Sequence, residues 1–152
     1  TKGMNVMDGY YNNPEASNAV LSPDGWLHTG DLGILDPDGY LYIKGRSKSL
    51  ILGPSGQNIY PEEIEDLLNA QPYIAESLVI EREGKLVALV YPDSEAMKQH
   101  KISRDTLLKI IHETRKQINQ QIPAYSQIAR IEIHDEEFEK TPKRSIKRFL
   151  YQ

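Results

Sequence analysis

No cysteine occurs in the sequence, which excludes disulfides, thiolate metal sites and cysteine nucleophiles and fits a reducing compartment. A surplus of positive charge is also missing: 18 Lys and Arg stand against 22 Asp and Glu, for a net charge of -4. General nucleic-acid binders need the opposite balance, because their affinity comes from displacing condensed counterions, so any basic chemistry here is local. There is no apolar run long enough to span a bilayer, and the first residues lack the basic-then-apolar order of a secretion signal. A soluble, cytoplasmic protein is the expectation. Internal repeats and low-complexity tracts are absent too. What is present, 39% hydrophobic and 26% charged residues over 152 positions, lies in the ordinary globular range and allows a buried core.

Thr1 to Ser22 is rich in Gly, Asn, Pro and Tyr and reads as a peripheral segment of turns. Leu32–Leu35 and Tyr40–Ile43 flank Asp36-Pro37-Asp38-Gly39, the pattern of a hairpin, and their mixed aromatic and aliphatic side chains suit a half-buried sheet. Pro61 opens a helix, with Glu62 and Glu63 in its first turn and Ile64, Leu67 and Leu68 as its apolar stripe to about Ala70. A second hairpin follows, Ala75–Arg82 and Leu86–Tyr91 around Glu83-Gly84-Lys85, with Val79, Val87, Leu89 and Val90 as core. Asp93 caps a short helix before His100, Ser103 starts a long helix that Pro123 ends, and Ile128–Ile133 alternates as a strand. After an acidic connector the chain finishes in a dense basic run from Lys140 to Arg148. The order predicts a small α+β domain, short sheets packed with about three helices.

The densest stretch is Gly45 to Glu65. It joins a charged strand end, the apolar triplet Leu50-Ile51-Leu52, a loop with Gly53 and Gly56, and the helix start at Pro61. That is more than a connector needs, and it reads as a hinge followed by a substrate-facing loop.

Three segments in this order, Trp26 to Gly33, Gly45 to Glu65 and the basic terminus around Thr141-Pro142, resemble the adenylate-forming superfamily of acyl-CoA synthetases, acyl-adenylate ligases and luciferases. The long-chain fatty acid:CoA ligase branch is the most similar, and the likeness extends back through Asn5 to Glu15. The resemblance implies residues 1–46 as the incomplete end of a large N-terminal domain and 47–152 as the mobile C-terminal domain, in a chain without the phosphate loop and acyl pocket and therefore inactive alone. It implies a two-step reaction: a carboxylate attacks the α-phosphate of ATP, then the thiol of coenzyme A displaces AMP, with a domain rotation between the steps. ATP or AMP, Mg2+ and coenzyme A would serve the full-length enzyme, none held tightly by this chain. The fatty acid, ATP, coenzyme A and the chain's own N-terminal domain would be the partners. Nucleic acid is not among them, and the branch allows peripheral association of the full enzyme with a membrane. An aryl-CoA ligase, a ligase loading a carrier protein, and a non-catalytic binding module are the alternatives.

By the same resemblance, Asp31 accepts hydrogen bonds from the ribose hydroxyls, as a carboxylate does well. Arg46 lies near ribose and phosphate, where a forked guanidinium fits. Lys48 is the hinge residue, and Gly53, Ser55 and Gly56 form a loop facing coenzyme A. The plain alternatives are a turn-capping aspartate, solvated surface cations and a tight turn. Glu62, Glu63 and Glu65 read as helix capping and solvation, and His28 as structural. His100, His112 and His134 have no ligand spacing, and no metal site is expected.

The terminus departs from the family. Aligning Thr141-Pro142 and Ile146-Lys147-Arg148 puts Ser145 where a catalytic lysine is expected, and serine brings no charge to a phosphoryl transition state. Lys143 and Lys147 are the candidate replacements, Lys147 first. In an extended segment each would share a side with Ser145.

Overall fold

A computed structural model describes every residue from Thr1 to Gln152. The chain divides into two compact units, Thr1–Lys48 and Ser49–Gln152.

In the first unit, helix α1 (Pro14–Val20) stands where turns alone were expected. The Asn-Pro signal that suggests a turn is also a helix start: Asn13 accepts a 3.0 Å hydrogen bond from the Ala16 amide, and Pro14 supplies a ready-set φ at the first helical position. Strands β1 (Asp31–Leu35) and β2 (Leu41–Arg46) pair antiparallel. Their turn is fixed by Asp36, whose Oδ1 accepts from the amides of Asp38 (3.0 Å) and Tyr40 (2.8 Å). No later strand of the chain joins this pair. Two strands cannot cover their own faces, and Ile34, Leu35 and Tyr40 to Ile43 are each more than half exposed, from 53% to 67%.

The second unit begins with a miniature hairpin, β3 (Ile51–Leu52) and β4 (Asn58–Ile59), followed by α2 (Pro61–Asn69). Strands β5 (Ile74–Arg82) and β6 (Lys85–Pro92) are joined by Glu83-Gly84, both at positive φ (54 and 73), the conformation that a two-residue turn with the twist of its strands requires. The turn is thus one residue shorter than expected. After α3 (Ser94–Gln99) and α4 (Arg104–Gln121), β7 (Ile128–Ile133) joins β6 in parallel, giving the order β5-β6-β7. The helices between β6 and β7 are what a parallel connection needs.

Period-two alternation sorts the sheet's side chains onto two faces. On one, Val79, Leu86, Ala88 and Val90 pack with Ile64 and Leu68 of α2 and Ile118 of α4. On the other, Leu78, Ile80, Val87 and Leu89 are covered by the segment after β7, through buried Phe138 and the flanking Ile146 and Tyr151. The basic terminus is therefore no free tail. This mixed α and β architecture with short sheets agrees with the expected fold class. No helix is long and apolar enough to cross a membrane.

Candidate functional site

Three groups of the sequence-predicted residues can be placed. Asp31 opens β1 and Arg46 closes β2, directly opposite in register. Arg46 Nη1 pairs with the Asp31 carboxylate and also donates to the Thr29 carbonyl at 3.3 Å, while the Asp31 amide donates to Thr29 Oγ1 at 3.2 Å. The guanidinium beside Asp31 holds its carboxyl below the usual carboxylate value, so it stays an ionised acceptor. The hairpin register thus brings the two nucleotide candidates together. His28 has its Nε2 2.8 Å from Ser22 Oγ.

Lys48 sits exposed in a single 3-10 turn, Ser47–Ser49, and is the last residue of the first unit. The triplet behind it is less buried than its composition suggests, with Leu52 68% exposed. Gly53, Ser55 and Gly56 form the tight loop between β3 and β4: the Gly53 amide donates to the Gln57 carbonyl at 2.8 Å and the Gly56 amide to the Gly53 carbonyl at 2.9 Å. This loop borders a groove of about 450 Å³ whose other walls include Lys85 and Tyr125, neither singled out by sequence. Gly56 has φ +78 with open space around it, so its backbone alone resists substitution. Gly56→Ala is expected to lower the stability of this unit by about 1–2 kcal/mol, measurable by urea unfolding.

The terminal residues are not extended. The Arg144 amide donates to the Thr141 carbonyl (2.8 Å), the Thr141 amide to the Ser145 carbonyl (2.9 Å), and Arg144 takes φ 62, so Thr141 to Ser145 is a tight turn closed by a Lys140–Ile146 bridge. Lys143 therefore lies within that turn and Lys147 on the limb that leaves it, so they do not share Ser145's side by strand alternation. Lys143 is exposed; Lys147 Nζ is 3.1 Å from Glu139 Oε2.

Sequence reasoning missed Glu65 and Arg148. The Glu65 side chain is buried rather than solvated, and its Oε1 accepts from the Val79 amide at 2.6 Å. Arg148 donates to the Val79 carbonyl at 3.2 Å, pairs with Glu65 Oε2, and stands 3.7 Å from Glu62 Oε1. Burial pushes the Glu65 carboxyl above its ordinary value, against the pull of Arg148 and the Val79 amide. A signal was available for Glu65: it lies four residues after Pro61 and three before Leu68, on the stripe that α2 buries. For Arg148 no sequence signal separates it from its basic neighbours.

Residues 48–151 match the family model for the AMP-binding enzyme C-terminal domain. The chain belongs to that family. Among its relatives, the indoleacetate–CoA ligase of Aromatoleum aromaticum is 50% identical over 93 residues, 59% of this chain and 18% of that protein. A probable acyl-activating enzyme 4 of Arabidopsis thaliana is 33% identical over 157 residues, 98% of this chain and 26% of that protein. The solved structure of O-succinylbenzoate coenzyme A synthetase from Bacillus subtilis in complex with AMP shares 30% identity at a TM-score of 0.70, covering 99% of this chain and 29% of that one. The chain thus spans about a quarter or less of the length of the curated relatives it matches here. No three His, Asp or Glu side chains come together as a metal site.

Proposed function

We propose that the chain is the C-terminal part of an acid:CoA ligase that makes an acyl adenylate from ATP and an aromatic acid, then passes the acyl group to coenzyme A. The observation that carries this reading is the 50% identity to an indoleacetate–CoA ligase, within a family match over residues 48–151. The O-succinylbenzoate synthetase points to the same kind of acid. The long-chain fatty acid expected from the motifs has no support among these relatives.

In this reading Asp31 takes the ribose hydroxyls and Arg46, at its side, the ribose-phosphate edge. Lys48 is the pivot, and the loop of Gly53, Ser55 and Gly56 meets coenzyme A along the groove it borders. With serine at position 145, a lysine from the terminal turn supplies the missing charge. Lys143 has the exposed position, whereas Lys147 must first leave Glu139.

Pyrophosphate release by the full-length enzyme over a panel of acids tests the reading. Indoleacetate or O-succinylbenzoate is expected to exceed palmitate in kcat/KM by about tenfold or more, the discrimination a shaped apolar pocket gives. A preference for palmitate would restore the long-chain assignment, and no release with any acid would overturn the ligase reading.

A further inference from the structure

Strand β5 is an edge strand, paired with β6 alone. Antiparallel pairing turns alternate residues outward, and Val79, opposite Ala88, has its backbone amide and carbonyl satisfied by side chains and not by a neighbouring strand. Glu65 takes the amide, Arg148 takes the carbonyl, and the two close on each other. An acid from α2 and a base 83 residues later together occupy the place of one residue of a missing strand.

Arg148 directly follows the limb that ends the Thr141–Ser145 turn. The Lys147 amide donates to the Glu139 carbonyl at 2.8 Å, so the turn, its two limbs and Arg148 form one hydrogen-bonded piece. Phe138, Ile146 and Tyr151 hold that piece to the sheet's face by apolar contact, which is non-directional. The fork of Arg148 is directional: one arm is committed to the Val79 carbonyl, the other to Glu65.

We propose that Arg148, locked by Glu65 and the Val79 carbonyl, is a positioning residue that fixes where the Thr141–Ser145 turn stands for the adenylation step. This rests on the ligase reading above, because it acts through the lysine that the turn presents. Arg148→Lys separates positioning from folding, since it keeps a cation beside buried Glu65 but cannot fill both arms of the fork.

The test has two parts. In this chain, the amides of Thr141 and Lys147 are expected to exchange with solvent about tenfold faster in Arg148→Lys, with those of β6 unchanged. In the full-length enzyme, Arg148→Lys is expected to slow pyrophosphate release about tenfold while leaving thioester formation from supplied acyl adenylate within about twofold of wild type; a merely structural residue would lower both steps together. Unchanged exchange across residues 139–147, or equal loss in both steps, would overturn the proposal. A wild-type enzyme with neither step would instead remove the ligase reading, and the exchange result would still decide whether Arg148 fixes the turn.

Discussion

Arg148→Met is expected to destabilise the second unit by about 3–5 kcal/mol, because it leaves the carboxylate of Glu65 buried without its counter-charge. The side chains involved are 20% exposed for Arg148 and 11% for Glu65, so water cannot replace the lost partner cheaply. Removing both charges, as Glu65→Leu with Arg148→Met, is expected to cost less than the single change. It leaves the Val79 amide and carbonyl without partners but strands no ion. The pH dependence has a definite sign. Burial already raises the Glu65 carboxyl, and removing Arg148 removes a group that lowers it, so the folded variant takes up a proton at higher pH than the unfolded chain. A raised folded-state value means that stability is greatest below the unfolded value and falls as pH rises through the folded one. The gap between variant and wild type should therefore narrow as pH drops from 7 toward 4. Unfolding should be followed by circular dichroism, because the single tryptophan, Trp26, lies in the other unit. A loss below about 1 kcal/mol would place the pair among solvated surface ion pairs.

Asp31→Ala in the full-length enzyme is expected to raise the KM for ATP by roughly 100-fold, the loss of two hydrogen bonds to a charged acceptor. Asp31→Asn should fall between, because the amide keeps one acceptor but no charge, and its NH2 meets Arg46 as a second donor. Since Arg46 holds the Asp31 carboxyl below its ordinary value, Asp31 stays ionised and the effect of Asp31→Ala is expected to be the same across the neutral and mildly acid range. An unchanged KM in Asp31→Ala would leave the Asp31–Arg46 pair as a device that merely closes the hairpin.

Local chemistry made much of this molecule legible. Alternation found Val79, Val87, Leu89 and Val90, all buried, and the stripe of α2 found Ile64 and Leu68. Ser103 was read as the cap of the long helix, and its hydroxyl accepts from the Thr106 amide at 3.2 Å. What escaped depends on distant partners. Glu65 reads as a solvated helix acid until an arginine 83 residues away is folded against it. Lys147 reads as a free cation until Glu139 is brought beside it by a turn that the basic composition did not announce. The hairpin of the first unit was legible as strands and turn, while its apolar residues stay more than half exposed because no third strand of the chain joins it. Of the candidate site, Asp31, Arg46 and the loop at Gly53 to Gly56 were recognisable by motif, whereas the pairing of Asp31 with Arg46 and the groove beside the loop appear only in the fold.

The clasp on Val79 also bears on how the chain is made. Its carbonyl waits for a guanidinium encoded 69 residues downstream, which at 5–20 residues per second is a delay of about 3–14 s on the ribosome. Through that interval the rim of β5 is a bare strand on a nascent chain, and a crowded polysome sets many such rims side by side. Slower translation over residues 80–148 lengthens that exposure, and chaperones that meet the emerging polypeptide shorten it, so both are expected to change the yield of soluble protein.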